Sequence, residues 1–502
     1  MEDSNISMNP NQIVRSLGKP QQEFTRDDII KYIIDNEIRM LNLRYTAGDG
    51  RLKALNFIIS DREQLERLLT FGERVDGSSL FTSIDAASSD LYVIPRFRTA
   101  HLNPFSPVPT VELLCSFYNC EGKPLASAPE QILRAASQSL QRTTGLSFEA
   151  LGELEYYLFL SPQELYPSTV RKGYHESFPF SKGEIIRLEA MQAIAQTGGK
   201  IKYGHSEVGY ISTKNSCMEQ HEIEFQPVPV EEAADQIVLA KWILRMVGYR
   251  HGVTISYAPK ISFGHAGSGL HVHTKLVRDG ENMLVKSGQI TETARRLIGG
   301  YLECASSLTA FGNTVPVSYL RLVPHQEAPT NICWGDRNRS ALVRVPLGWR
   351  NVENMMKDAN PAEAAPCLPG GEKSQTIEFR GADGSADIHL LLAGLMVAAR
   401  HGLTDEGALA KADDLYIDVN IFSPPHVFMQ EKLPHLPTSC WESADALKEK
   451  RSVYEYDGVF PPLVIDDSIK RLKAFNDKGL SEELYGKEDD IKKLVDRYIH
   501  CS

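Results

Sequence analysis

The stretch Gly152-Glu153-Leu154-Glu155-Tyr156-Tyr157-Leu158-Phe159 decides the reading of this chain. Its run of aromatic and apolar residues predicts a β-strand over 153–159, in which residues i and i+2 share a face. Glu153 and Glu155 then point together, with Tyr157 and Phe159 continuing that face. Leu154, Tyr156 and Leu158 line the other. Two neighbouring carboxylates repel unless something positive lies between them. A divalent cation held by hard oxygen ligands is one answer, and an exposed acidic strand edge is the other.

Further groups of the same kind lie downstream. His205-Ser206-Glu207 and Gln220-His221-Glu222-Ile223-Glu224-Phe225 offer more carboxylates, with Glu222 and Glu224 again alternating. His271-Val272-His273 follows Gly267-Ser268-Gly269, which leaves the backbone unencumbered just before two histidines on one strand face. Glu378 and Arg380 place an acid and a base on one face of Thr376-Ile377-Glu378-Phe379-Arg380. By itself that pair also reads as a structural ion pair. Arg321 precedes Leu322-Val323-Pro324, with Glu327 just beyond, and Arg337, Arg339 and Arg344 crowd one short segment. Guanidinium groups suit bidentate recognition of phosphate and carboxylate, although a solvated basic loop has the same composition. No GxxxxGK[ST] loop and no kinase motif set is present, so any nucleotide is held in another way.

The remaining arithmetic fits a large soluble enzyme. At roughly 100–200 residues per domain, 502 residues make two to four domains, or one large domain with an appendage. Hydrophobic residues at 42% and charged residues at 24% exclude wholesale disorder. The net charge of −11 argues against a general nucleic-acid or anionic-membrane surface. No run of apolar residues is long enough for a transmembrane helix, and the polar N-terminus lacks the pattern of a secretory signal. The eight cysteines form no CxxC, and scattered reduced thiols fit a cytoplasmic location.

Residues 1–22 read as a loose tail. Thr25 and Asp28 make a capping box ahead of a helical run over 29–40. Residues 41–45 and 52–58 read as a hairpin about Gly48-Asp49-Gly50. The Pro-rich segment 103–109 sets the expected boundary, with an N-terminal domain over 23–108 and a second domain over 109–502. In the latter, Ser127 is the expected cap of a helix to about residue 144, and helices are expected over 182–197 and 231–251.

Taken in chain order, these motifs resemble glutamine synthetases of the bacterial class I type. The likeness rests on Val75-Asp76-Gly77-Ser78-Ser79, Gly152-Glu153-Leu154-Glu155, Glu207-Val208, Gln220-His221-Glu222-Ile223 and the segment from Gly267 to His273. Arg321 through Pro329, Arg337-Asn338-Arg339-Ser340 and Ile377-Glu378-Phe379-Arg380 complete it.

The resemblance implies an α+β fold, with a β-grasp N-terminal domain and a catalytic domain whose curved antiparallel sheet forms part of a barrel shared between subunits. It implies two Mg²⁺ or Mn²⁺ sites, one held by Glu155, Glu207 and Glu222, the other by Glu153, His271 and Glu378. ATP is the implied co-substrate, contacted by His273, Arg344 and Lys373. Arg321, Gly267 and Ser79 are implied in substrate binding. Asp76 would bind and deprotonate ammonium from the neighbouring subunit. Glu327 would close the site, and Arg339 and Arg380 would neutralise the transferring phosphoryl group. The implied reaction joins ammonia to glutamate through γ-glutamyl phosphate, in a ring-based homo-oligomer, commonly a dodecamer.

The chain departs from the family pattern at several places. Ala266 stands where Asn is usual, five residues before His271, and Glu219 stands where Gly is usual. Lys275 replaces a small hydroxyl residue. Glu222 follows Glu207 by fifteen positions, a longer span than is common, which reads as an insertion crossing the metal site. Tyr416 lies near a position modified in some relatives, and reads here as a surface or packing residue. Two alternative functions stay open at this point: ligation of a polyamine, ethanolamine or other amine to glutamate, and a non-catalytic nitrogen-sensing scaffold.

Overall fold

The computed structural model describes residues 2–501 except 87–88, 163–164, 171, 214–215, 324–327, 347–354, 364–371 and 485. Two short helices open the chain, α1 (Glu2–Ser7) and α2 (Gln12–Leu17). The expected loose tail is therefore corrected. Ile13 and Val14 are buried in the N-terminal core, and Asn11 both caps α2 and donates to the Ala100 carbonyl at 3.0 Å. Buried Ile13 and Val14, with Ile6 and Leu17 packed against the same core, dock the segment.

The Thr25–Asp28 capping box opens α3 (Arg26–Asp35), which buries Ile29, Ile30 and Ile33. The hairpin β1 (Met40–Thr46) and β2 (Leu52–Ile58) forms in the register Met40↔Ile58. After α4 (Arg62–Phe71) come β3 (Glu73–Asp76), β4 (Asp90–Pro95), β5 (His101–Leu102) and β6 (Thr110–Asn119). The sheet order is β2-β1-β6-β4-β3, with β5 also on β6. This is the β-grasp domain. The expected edge at 108/109 falls before β6, which lies in the middle of this sheet, so sheet membership runs to Asn119. The prolines 104, 107 and 109 mark the β5–β6 connection, because proline suits a turn and cannot donate to a ladder.

The second unit begins at α5 (Pro129–Thr144). Its cap position is Ala128 rather than Ser127, with Pro129 at the first helical position. A long central strand follows, β7 (Ser147–Leu160). Then come α6 (Glu184–Gln196), β8 (Ile201–Ser212), β9 (Cys217–Phe225), β10 (Val228–Pro229), α7 (Val230–Arg250), β11 (Thr254–Ser256) and β12 (Leu270–Arg278). Glu281–Asn282 (β13) pairs with β12, while β14 (Val285–Lys286) and β15 (Gln289–Ile290) pair with each other. The chain continues through α8 (Glu292–Gly312), α9 (Ser318–Arg321), β16 (Trp334–Asp336), β17 (Val343–Val345) and β18 (Ile377–Phe379).

The large sheet runs β16-β17-β18-β12-β7-β9-β8, antiparallel except for β16–β17, and curls into a half-barrel. One face is apolar. Leu154, Tyr156 and Leu158 are buried there, and α7 packs so closely that a Cβ on Gly152 would lie 2.9 Å from Ile237 Cδ1. The other face carries the charged residues. Among the described residues no helix is long and apolar enough to cross a membrane.

Candidate active site

Strand register assembles the site. On β7, Glu153 stands opposite His271 of β12 on one side and Glu224 of β9 on the other. Glu155 stands opposite Glu222, which in turn faces His205 of β8. His273 pairs with Glu378 of β18, and Glu378 with Arg344 of β17. Residues far apart in sequence thus form two adjacent rows on one face, because the side-chain period of every strand is two.

The contacts are short. His271 Nδ1 lies 2.8 Å from Glu153 Oε2 and 3.8 Å from Glu378 Oε1, and its Nε2 lies 4.0 Å from Glu155 Oε1. His273 Nε2 is 2.9 Å from the other Glu153 oxygen, and its Nδ1 is 2.8 Å from the Thr376 hydroxyl. Among the described residues, potential ligand atoms fall within 4.8 Å of one another in four groups: Glu153, His271, Glu378; Glu155, Glu222, His271; His205, Glu207, Glu222; and Glu153, Glu224, His273. Glu153, His271 and Glu378 lie together in the first of these groups. Glu155 and Glu207 reach Glu222 from the strands on either side of it. His205 and Glu224 join the cluster beyond the expected ligands. Their signals were the His-Ser-Glu spacing and the alternation of Glu222 with Glu224.

The fifteen-residue span from Glu207 to Glu222 runs along β8 and β9, which pair antiparallel. Between Ser206 and Tyr210, β8 bulges against a single residue of β9, Gln220, and Glu207 sits in that bulge. Bulges re-aim side chains in this way. Glu219, buried, accepts the Lys182 and Gly183 backbone N–H groups at 3.0 and 2.8 Å just ahead of α6, where a negative charge is favoured.

The electrostatics call for a cation. Burial, reinforced by Glu153, Glu155, Glu207 and Glu224, pushes the Glu222 carboxyl well above the carboxylate range. Burial would raise Glu153 as well, but His273 and His271 hold it well below. Oxygen donors with one or two imidazoles fit Mg²⁺ or Mn²⁺ better than a thiophilic ion.

This has a measurable consequence. A carboxyl raised in the folded state binds an extra proton there, so stability without metal falls as pH rises through that window. A bound divalent cation removes the penalty. Mg²⁺ or Mn²⁺ at about 100 times its Kd is expected to add about 2.7 kcal/mol, with a larger gain in Tm near pH ~8 than near pH ~5. Calorimetry with EDTA or Mg²⁺ at the two pH values checks this, and equal gains would contradict it.

Basic residues ring the cluster. Glu378, 1% exposed, is held by Arg344 Nη1 at 2.9 Å and Arg380 Nε at 3.0 Å. Burial would lower the Arg339 guanidinium, but a hydrogen bond to Tyr174 and the charges of Glu207 and Glu378 raise it. Arg380 also donates to the Arg339 carbonyl. Arg321 lies buried under the glycine turn. A Cβ on Gly267 would lie 2.9 Å from its Cγ, and one on Gly269 2.7 Å from its Nη2. Only glycine lets this backbone pass. The Gly269 N–H donates to Glu155 at 2.7 Å, and Gln220 bridges Glu155 and the Gly267 carbonyl, both at 3.0 Å.

Other expected residues lie further out. Lys373 is exposed on the turn Glu372–Ser374 just before β18. Lys275 pairs with Glu149 at 2.7 Å, and Tyr416 packs its ring on Trp334. Glu327 lies outside the described residues. Asp76 ends β3 on the exposed edge of the β-grasp sheet, where it accepts from the Ser78 and Ser79 hydroxyls at 2.8 and 2.5 Å. Ser79, Ser78 and Ser89 hold its carboxyl well below the usual range. Its described contacts stay within its own domain.

Sequence reasoning missed the Tyr174–His175 pair. The two rings stack at 4.1 Å, and His175 lies 4.4 Å from the His205 ring, beside Glu207. They sit in an irregular loop, where no periodicity announces them.

The face of this half-barrel combines carboxylates, imidazoles and guanidinium groups, and its carboxylate–imidazole groups could hold metal ions. Residues 126–473 match the glutamine synthetase catalytic domain and residues 37–120 the glutamine synthetase beta-Grasp domain. The chain belongs to the glutamine synthetase family and is a ligase. A glutamine synthetase of Thermus thermophilus is 32% identical over 336 residues, covering 64% of this chain and 72% of the relative. One of Clostridium saccharobutylicum is 28% identical over 437 residues, covering 85% and 90%. Among solved structures, Plasmodium falciparum glutamine synthetase superposes with a TM-score of 0.72 at 20% identity, covering 93% of this chain and 97% of that one. A chain described as a GmaS/ADP complex gives 0.70 at 18%, covering 89% and 96%. These two likenesses speak to the fold.

Proposed function

We propose that this enzyme ligates ammonia to the γ-carboxylate of L-glutamate, consuming ATP and passing through γ-glutamyl phosphate. The observation that carries the reading is the pairing of a carboxylate–imidazole cluster with Arg339, Arg344 and Arg380 at one edge and buried Arg321 under a glycine turn nearby. A carboxylate is a poor electrophile, and phosphorylation turns it into an acyl phosphate that an amine attacks. Glu153, His271 and Glu378 would hold one divalent ion, and Glu155, Glu207 and Glu222 another. Such ions polarise phosphoryl oxygens and neutralise developing charge.

Arg321 binds the substrate α-carboxylate beside Gly267. Arg339 and Arg380 balance charge on the transferring group. His273, Arg344 and Lys373 face the nucleotide. Asp76 and Ser79 are supplied by a neighbouring subunit in a ring-based oligomer, a dodecamer by family habit. There Asp76 holds ammonium and takes its proton. Glu327 covers the acyl phosphate and accepts the proton of the adduct.

A second reading, ligation of a larger primary amine, is favoured by Ala266. Its described contribution is a backbone carbonyl, accepting from the Tyr157 hydroxyl at 2.8 Å, where the family has an amide side chain. ADP release with glutamate and a panel of ammonia, methylamine, ethanolamine and putrescine separates the two. Ammonia is expected to give the highest kcat/KM. A larger amine that outperforms it would replace the first reading with the second.

A further inference from the structure

The chain beyond residue 473, where the match to the catalytic domain ends, includes a short helix (Leu480–Leu484) and a longer one (Glu488–Tyr498). In the longer helix Ile491, Leu494, Val495 and Tyr498 recur at the spacing of one helical face. Ile491, Val495 and Leu484 are buried with Val317, and Leu320, Leu494 and Tyr498 pack on the same group. The Ser481 hydroxyl donates to the Tyr319 carbonyl at 2.9 Å. Val317 caps α9 and Arg321 ends it. The C-terminal helices therefore hold the backbone that leads to Arg321.

The same segment supports the other wall of that site. The Ser256 hydroxyl donates to the Ile499 carbonyl at 2.6 Å, and Ile499 and Cys501 pack on the apolar group of Tyr157, Ala258 and Ile261. Between Ala258 and Ile261, the Pro259 carbonyl accepts the Ser268 N–H at 3.0 Å, and a Cβ on Gly267 would lie 2.5 Å from it. The glycine turn over Arg321 thus rests on a loop that Ile499 backs. Ile499 packs against both apolar groups, the one at α9 and the one at residues 258–261. Arg245 Nη2 and Arg51 Nη2 tie down the end of the segment through the Cys501 and His500 carbonyls, both at 2.9 Å. An isolated helix of 11 residues is marginal in water, so Glu488–Tyr498 owes its order to this docking.

We propose that the helix Glu488–Tyr498 and the tail to Cys501 are a positioning element for the substrate α-carboxylate, with Ile499 as the pivot. They fix α9 and the glycine turn relative to each other, and so set the spacing of Arg321 and Gly267. His273, Arg344 and Glu378 stand on β12, β17 and β18, outside these two apolar groups. The element therefore acts on the amino-acid end of the site and not on its nucleotide end. This rests on the reading of Arg321 as the α-carboxylate site.

Calorimetric titration of the full-length, Mg²⁺-loaded protein tests it, first with β,γ-methylene-ATP, then with L-glutamate once the analogue is saturating. Ile499→Ala truncates the pivot, and Val495→Asp undocks the helix face. Each is expected to weaken glutamate binding at least ~10-fold, because a small misplacement of a binding group is costly. The ATP analogue is expected to bind both variants within about twofold of the unsubstituted protein. Ile499→Leu, which conserves volume, is expected to bind glutamate as the unsubstituted protein does. Ile499 is only half-buried, so Ile499→Ala decides the matter if Val495→Asp fails to fold. Unchanged glutamate binding in Ile499→Ala, or equal weakening of glutamate and the analogue, would overturn the proposal. An unsubstituted protein that binds the analogue but not glutamate would overturn the reading of Arg321, and the proposal with it.

Discussion

Replacing Glu378 by Ala is expected to lower phosphate release at least ~10³-fold with any amine. Glu378 is nearly inaccessible, lies 3.8 Å from His271, and is gripped by Arg344 and Arg380. The substitution removes an expected metal ligand and leaves two cations facing each other. Breaking a buried pair in this way costs about 3–5 kcal/mol, so a loss of activity alone would not distinguish misfolding from chemistry. Glu378→Gln keeps the volume and the hydrogen-bonding shape while removing the charge. It is expected to fold, to bind one fewer divalent ion per chain by equilibrium dialysis, and to show the same collapse in turnover. Retained turnover in either variant would contradict the two-metal reading.

Asp76→Ala is expected to reduce ammonia-dependent turnover about 100-fold, with a much smaller effect on hydroxylamine-dependent turnover. Ammonia is mostly ammonium near neutral pH and must be bound as a cation and deprotonated, whereas hydroxylamine is already largely an uncharged nucleophile. The Ser79 and Ser78 hydroxyls hold the Asp76 carboxyl below the ordinary carboxylate range. In the proposed reaction its first task would be to hold positive charge, with proton acceptance following once ammonium is desolvated. Asp76→Asn preserves the shape of the turn and should resemble Asp76→Ala. Equal losses with both amines would count against an ammonium site at Asp76.

Much of the cluster was legible because strand alternation is a local property. Glu153 with Glu155, His271 with His273, and Glu378 with Arg380 each sit two positions apart, and each pair stayed on one face. The capping box at Thr25, the β1–β2 hairpin and α7 were legible for the same reason. What sequence could not supply was register. That Glu224 stands opposite Glu153, and that His205 lies between Glu207 and Glu222, depends on how three strands slide past one another and on one bulge. Tyr174 and His175 depend on the path of an irregular loop. Prolines misled in a different way. They marked the β5–β6 connection as a domain edge, and only pairing showed β6 between β1 and β4. At residues 1–22 polar composition outweighed a few apolar residues, yet burial of Ile13 and Val14, with Ile6 and Leu17 beside them, anchors the segment.

The central claim is that the carboxylate is activated by phosphorylation before the amine attacks. Supplying glutamate labelled with ¹⁸O in its γ-carboxylate and following the released inorganic phosphate by mass spectrometry tests it most directly. The account predicts that one ¹⁸O atom is transferred to each phosphate in step with ADP formation. Phosphate that carries only unlabelled oxygen while ligation proceeds would contradict it.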